Sequence, residues 1–422
     1  MGVDGILRNE PTGTERRQDI PIARISLALG IGGFWVNDQP AIQAGAEPDG
    51  FFFRGNPLSQ GFEAIREPSV AYCVSIELAG GQLAYGDCTT VLNAGYAGRP
   101  QPLRAANLPR VQADLKAAFD GKSFPSFRDA AKCLETLELE QTLAIPVAFG
   151  VSQALLSAAA VVRGVTMAQV LMDEFDVRQR YDAPGFAGSC GGDWQKNVDK
   201  AIARRVDMFP QSAIQTPAEC QRLPDFVSWI LGRIEKFGAS DYKPDLHFDF
   251  HASLGRMLGN DEDKVCAYLS EIVERAKPYQ VYFEDPLLAE TAAEACERMG
   301  RLRERLDTRG PHCHLIADEW ANAPGEMKRF AQAKAAHAIQ IKMPDNGSIL
   351  KTIEAIQLCR ENDILPYLGG SCNETDISSR VTVHIGMAFG AWRMLTKPGL
   401  GFDEGLMVMT NEMNRTFPRL GR

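Results

Sequence analysis

Four ionisable residues each stand at the end of a short apolar run. Leu246-His247-Phe248 leads into Asp249, Val281-Tyr282-Phe283 into Glu284, Leu315-Ile316-Ala317 into Asp318, and Ala338-Ile339-Gln340-Ile341 into Lys342. Short apolar runs of this kind read as buried strands. Parallel α/β folds place ligands beyond the carboxyl ends of their strands, so the four residues are expected to face one site. Three carboxylates brought together from neighbouring strands repel one another unless a cation lies between them. Oxygen ligands suit Mg²⁺ or Mn²⁺ better than zinc. A metal centre is therefore expected from Asp249, Glu284 and Asp318 alone.

The elements that must carry these residues follow from the intervals between them, which are 35, 34 and 24 residues. Each interval is long enough for one crossover helix, as consecutive parallel strands require. Between Asp249 and Glu284 the run from Val265 to Ala276 has a continuous apolar face, and between Asp318 and Lys342 the residues Phe330, Ala331 and Ala335 form another. Successive strand–helix units are the signature of a (β/α)8 barrel, in which residues at strand ends read as catalytic. Gln340, two residues before Lys342, falls on the same strand face. Further strands are expected at Pro184 to Ala187, at a run ending Phe209-Pro210-Gln211, and at Leu365 to Leu368, with the last barrel element around Val381 to Phe389.

A barrel alone takes about 250 residues, and this chain has 422. The remainder, residues 1–170, reads as an α+β domain ahead of a barrel at 171–422. Strands are expected from Ile22, at Val70 to Leu78 and at Gln82 to Tyr85. Helices are expected from Pro109 to Ala118, from Phe127 to Glu140 and from Val147 to Val162. The first residues, to about Ile20, are polar and read as loose. Gly30-Ile31-Gly32-Gly33 lacks the third glycine of a nucleotide loop, since Trp35 stands there, and reads as a strand-linked turn.

The net charge of −9 argues against nucleic acid, whose phosphates need a basic footprint. No apolar stretch approaches the roughly 20 residues of a membrane span, and the start has no secretory apolar core. The ten cysteines are scattered without a CxxC pair, which points to reduced thiols and a cytoplasmic protein. His312-Cys313-His314 is not read as a zinc site: on a strand the two histidines share a face that Cys313 does not, and no second ligand pair exists.

Longer segments carry a family resemblance. IADEW at 316–320, QIKMPD at 340–345, GGSCNET at 369–375 and KPGLGFDEGLMVMTNEMNR at 397–415 resemble the methylaspartate ammonia-lyase family of the enolase superfamily. AIQAGAEPDGFFFRG at 41–55, GQLAYGDC at 81–88 and NVDK at 197–200 match in the same order. The resemblance implies an enolase-like α/β fold, an N-terminal α+β capping domain over a modified (β/α)8 TIM barrel, and a homodimer. It also implies Mg²⁺ at the barrel mouth, held by Asp249, Glu284 and Asp318, with Lys342 as the base that removes a proton next to a carboxylate. Gln340 would bind that carboxylate, while Ser371 and Cys372 would hold the other. The implied substrate is a small aspartate-like dicarboxylate that loses ammonia or an amine.

The chain departs from the family pattern where substrate is expected. Gln211 stands where the family has a second base, a histidine. Leu92 replaces a glutamine that contacts the substrate's amino group, and Gly188 replaces a glutamine of the first barrel strand. Loss of partners for charged groups points to an altered substrate preference. The same features admit a lyase that expels a different group, such as water, or a metal-binding homologue without turnover. His251 replaces a tyrosine and, by strand alternation, is expected beside Asp249 as a new acid, base or carboxylate contact. Asp285, where the family has glycine, is expected to hydrogen-bond a neighbouring lysine or ligand.

Overall fold

The computed structural model describes residues 18–421; the polar start at 1–17, expected to be loose, lies outside them. The N-terminal part is a four-stranded antiparallel sheet in the order Leu83–Cys88, Arg66–Leu78, Ile20–Asn37, Ser123–Phe124. Along Arg66–Leu78 the residues Val74, Ile76 and Leu78 are buried, while Ser75 and Glu77 between them are not. This alternation gives the sheet one apolar face, and helices Leu108–Phe119, Phe127–Glu135 and Gln141–Arg163 cover it. Phe127–Glu135 stops five residues short of the expected Glu140. Gly30 to Gly33 does not turn the chain but lies within the strand Ile20–Asn37, where the ladder is irregular between Ile31 and Trp35.

Leu143–Arg163, interrupted by Ser152, Gln153 and Ser157, holds no uninterrupted apolar run of membrane-spanning length, yet by length and mean composition this helix of 21 residues is apolar enough to cross a membrane. The helix is packed as the spine of the capping domain: Val147, Val151, Ala154, Leu155 and Ala158 are fully buried.

The remainder is a closed barrel of eight parallel strands: Gly185–Ala187, Met208–Ala213, Asp245–Asp249, Val281–Glu284, Cys313–Ala317, Ala338–Ile341, Leu365–Leu368 and Arg393–Leu395. The crossover helices between the four charged strand ends are Glu262–Ala276, Ala292–Asp307 and Pro324–Gln332, as the intervals required. Val381 to Phe389 is not the closing strand. It belongs to helix Asp376–Phe389, and the barrel closes with the short strand Arg393–Leu395 after the left-handed Gly390. A fully buried helix and a buried strand are equally apolar, so this stretch could not be told apart by composition. The barrel centre is filled by Ala187, Met208, Tyr282, Ile316, Ala338, Tyr367 and Leu395. His314, on the inner face, meets Gln280 at 2.8 Å and stacks on Tyr282, while Cys313 is buried on the other side, so this trio is packing.

Capping sheet and barrel meet over the barrel mouth. Gly33 donates its N–H to the carbonyl of Asn373, and a Cβ at this position would lie 2.6 Å from the carbonyl oxygen of Glu374. Only glycine lets the two backbones approach this closely. Asn373 completes the seam through its side chain, accepting from Phe34 N–H and donating to the Trp35 carbonyl, both at 3.1 Å. Helix Met167–Glu174 runs across residue 170 and leads to the first barrel strand.

Candidate active site

Register brings the strand ends together. Glu284 pairs with Asp249 on one side and with Ile316 on the other, which leaves Asp318 two residues beyond on the next strand. All three carboxylates are nearly or wholly buried. Each is met by protein donors. Asp249 Oδ2 lies 2.9 Å from His251 Nε2. Glu284 accepts from Gln340 Nε2 at 2.6 Å and lies 2.8 Å from His247 Nε2. Asp318 Oδ2 accepts from Lys342 Nζ at 2.5 Å.

The surrounding shell adds more charge. Among the described residues, six carboxyl groups (Asp249, Glu284, Asp285, Asp318, Glu319 and Asp345) face only Arg99, Lys342 and His251 as cations. Burial, followed by the charges of Asp249 and Asp318, holds the Glu284 carboxyl well above its ordinary range. Burial with Asp318 and Glu319 pushes Asp285 up to about 8. Burial is the larger cause of both shifts, and the neighbouring carboxylates add to it a negative charge that a divalent cation would offset. Among the described residues no three His, Cys, Asp or Glu side chains are gathered into a ready cage. The physical reason lies in the contacts above, since each carboxylate is turned onto its own protein donor. The oxygen-only donor set fits Mg²⁺.

For Lys342, burial works against its charge, but Asp318, with Glu319 and Glu284, outweighs it and holds the ammonium above its ordinary range. A lysine in this setting becomes a base only when the negative charge beside it is compensated.

Above the carboxylates lies a cavity of about 520 Å³. From the barrel it is lined by Gln211, Asp249, His251, Glu284, Gln340, Lys342, Ser371 and Cys372. The capping domain contributes Phe34, Trp35, Phe53, Leu92 and Arg99. Gln340 keeps its carbonyl oxygen without a partner, and Gly369 allows its close packing: a Cβ there would fall 2.2 Å from that oxygen. Ser371 is fixed through its backbone, donating to Glu374 at 2.7 Å and accepting from Leu92 N–H at 2.9 Å. Cys372 adopts a left-handed backbone (φ 69°), and burial pushes its thiol up to about 12, so it is a neutral contact and no nucleophile. Gln211 is also left-handed (φ 40°) and carries its side chain at the cavity wall.

Two expectations are corrected and a third is met. Gly188 does not face the cavity. Ala187 points into the barrel, so the next residue points outward, and a Cβ on Gly188 would lie 3.0 Å from the Phe402 ring. Ser189, one residue on, lines the cavity instead. His251 does reach Asp249, but through a turn with φ 43° beyond the strand end and not by strand alternation. Asp285, expected to bond a lysine or a ligand, meets the second of these, the proposed ligand Asp318, through its backbone. It accepts from the backbone N–H groups of Asp318 and Glu319, at 3.3 and 2.6 Å, and so fixes the neighbouring strand end.

Arg99 and Glu319 escaped the sequence reading. Arg99 is wholly buried and reaches Asp318 (3.5 Å), Asp345 (2.9 Å) and Glu319. Glu319 stood in plain sight inside IADEW, next to a proposed ligand. Arg99 lies in an irregular loop with no periodicity to betray its direction.

Comparison with known proteins agrees with this geometry. The family model "Methylaspartate ammonia-lyase N-terminus" matches residues 20–176 and "Methylaspartate ammonia-lyase C-terminus" matches 179–422. Methylaspartate ammonia-lyase 1 of Carboxydothermus hydrogenoformans is 36% identical over 408 residues, covering 95% of this chain and 97% of that protein. The structure of methylaspartate ammonia lyase of Citrobacter amalonaticus containing (2S,3S)-3-methylaspartic acid superposes with a TM-score of 0.91 at 32% identity, over 95% of this chain and all of the other. The Mg-complex of β-methylaspartase from Clostridium tetanomorphum gives 0.88 at 35% identity, over 95% and 99% of the two chains. With both halves matched and 95% of the chain superposable, this protein belongs to the methylaspartate ammonia-lyase family and is a carbon–nitrogen lyase.

Proposed function

We propose that the protein is a Mg²⁺-dependent lyase acting on 3-substituted aspartates, with Mn²⁺ as a possible substitute. Asp249, Glu284 and Asp318 are the residues that would hold the metal, and the Mg-complex of the Clostridium relative supports the choice of ion. When bound, the metal supplies the charge that stabilises a carboxylate as the proton next to it departs, an effect worth several kcal/mol. Lys342 is the base. Its Nζ stands at the cavity wall beside Asp318, on the face where the substrate carbon must lie. Gln340 presents its free carbonyl oxygen and an amide to the site, and Ser371 with Cys372 borders the opposite carboxylate. The electron pair left on the carbon forms the C=C bond as the C–N bond breaks; the substrate's ammonium departs as the neutral amine with the C–N electron pair, and the proton taken by Lys342 passes to that amine or to solvent.

The single observation that carries this reading is the union of Lys342 with Asp249 and Glu284 on one cavity, with Asp318 held behind them against Lys342. The methylaspartate found with the Citrobacter relative supports the aspartate-like substrate class. Leu92 at the cavity wall supports an altered preference, because it offers no polar atom from its side chain to an ammonium. For the same reason a second reading remains, expulsion of a group other than ammonia. Domains divided at residue 170, a homodimer and a cytoplasmic setting complete the proposal.

The test is ammonia release from 3-methylaspartate and a panel of 3- and N-substituted aspartates, with and without Mg²⁺. Mg²⁺-dependent release from at least one is expected. No release from any, together with no solvent deuterium exchange next to the carboxylate, refutes the reading. Exchange without ammonia favours the second leaving-group reading.

A further inference from the structure

The contacts around Arg99 form a continuous arc that joins two of the proposed metal ligands. Arg99 Nη2 lies 3.5 Å from Asp318 Oδ1, and Nη1 pairs with Glu319 Oε2. The second oxygen of Glu319 lies 3.0 Å from His251 Nδ1, and His251 Nε2 lies 2.9 Å from Asp249 Oδ2. The two ring contacts are close ion pairs and not in-line hydrogen bonds. The third arm of Arg99 fixes Asp345 at 2.9 Å. The arc is buried except at His251: the Arg99 side chain is 1% exposed, Asp318 2% and Glu319 9%, against 19% for His251.

Arg99 is the only member that comes from the capping domain. Its loop is set by tight turns, with Arg99 N–H on the Tyr96 carbonyl and Gly95 N–H on that of Pro100. Asn322 of the barrel donates to the Ala97 carbonyl at 3.2 Å, so the loop is seated on the barrel on both sides of the guanidinium. A planar fork with donors in fixed directions can hold three carboxylates at set angles, whereas a lysine's rotating ammonium fixes none of those angles. His251 sits in a strained left-handed conformation (φ 43°), and its backbone N–H also donates to Asp249 at 3.2 Å. Such strain persists where the surroundings over-determine it.

We infer that Arg99, Glu319 and His251 act as one brace, anchored in the capping domain, that sets Asp249 and Asp318 at the spacing and orientation needed to bind Mg²⁺. The inference rests on the reading of Asp249 and Asp318 as ligands. It makes all three positioning residues, and it gives His251 a role other than that of a second base. Metal binding and seating of the capping loop are then coupled, since the same guanidinium serves both.

The test is calorimetric titration of Mg²⁺ into the substrate-free protein. Arg99→Ala would strand buried carboxylates and endanger folding, so Arg99→Lys, Arg99→Gln and His251→Gln are compared, together with the double variant Arg99→Lys/His251→Gln. Outer partners of metal ligands are worth about 10- to 100-fold in affinity. A loss in that range is expected for Arg99→Gln and His251→Gln, with partial recovery in Arg99→Lys. Because Arg99 and His251 act through one Glu319, their losses should combine to less than their product. Unchanged affinity in both Arg99→Lys and His251→Gln overturns the brace, as do independent losses that multiply. Asp318→Asn separates the two levels. If it binds Mg²⁺ as tightly as the parent, the ligand reading falls; if it loses binding while the Arg99 and His251 variants do not, only the brace falls.

Discussion

The two walls of the cavity are built in different ways. The barrel wall is charged, and all its charges but His251 stand at strand ends fixed by ladder register, as Glu284 is between Asp249 and Ile316. The capping wall is largely apolar and aromatic, with Phe34, Trp35, Phe53 and Leu92, and it is assembled from an irregular strand, a short hairpin and a loop. Among the described residues, the cation of this wall without an ion pair, Arg66, leans on the rings of Trp35, Phe51 and Phe53 and donates to Asn37 and the Phe51 carbonyl. The difference teaches a division of labour: rigid strands hold the groups that must meet a reacting carbon to within fractions of an ångström, while the cap shapes what else the substrate carries.

The sharpest way to break this division is Lys342→Ala. Removal of the base should lower turnover by about 10³-fold or more while the fold is retained. Equal activity in a steady-state assay would remove Lys342 from the chemistry. Asp249→Asn or Asp318→Asn should cost nearly as much, and chelation should silence the parent, with activity restored by titrating Mg²⁺ back. Full activity after chelation would end the metal assignment.

Changes on the capping wall should act on selection instead. Leu92→Gln restores an amide where the chain has only methyl groups, and should shift the preference between aspartates of different 3-substituents by about tenfold, read as a ratio of kcat/KM. A fall in kcat alike for every substrate would mean that the cap also takes part in chemistry. Gln211→His bridges the two walls. The parent should favour one epimer at the carbon that loses its proton, and the histidine should raise the slow epimer by a few-fold to about tenfold. Similar parent rates on both epimers would show that a second base already operates.

The smallest expected effect lies outside both walls. Hydrogen bonding to His384 holds Glu412 down to about 2, with burial opposing and Arg380 assisting. Its folded-state value is below the unfolded one near 4.5, so its stabilisation is present above that pH and is lost as pH falls towards 2. Glu412→Gln should therefore cost about 1 kcal/mol in denaturant melts at neutral pH, allowing for solvent screening, and the cost should shrink below pH 4. A penalty that is constant across pH would indicate lost packing alone.

What could be read from the sequence follows the same division. Asp249, Glu284, Asp318, Gln340 and Lys342 were legible because strands end in register and side chains alternate with period two. That period also explains why Gly188 was misplaced: a one-residue slip turns a cavity residue outward, and Ser189 is the one that faces in. Arg99 was hidden because a loop has no period. The closing strand Arg393–Leu395 was missed because three residues give too little pattern to set against the fully apolar helix before it.

Asn373 has a consequence for how such proteins can be recombined. Its backbone carbonyl, side-chain oxygen and side-chain nitrogen stitch Gly33, Phe34 and Trp35 to the barrel loop, across a gap that admits no side chain at Gly33. The border between the two domains in sequence is thus not the border at which they can be exchanged. A chimaera that takes its cap from one relative and its barrel from another inherits a mismatched seam unless residues 33–35 and 371–374 travel together.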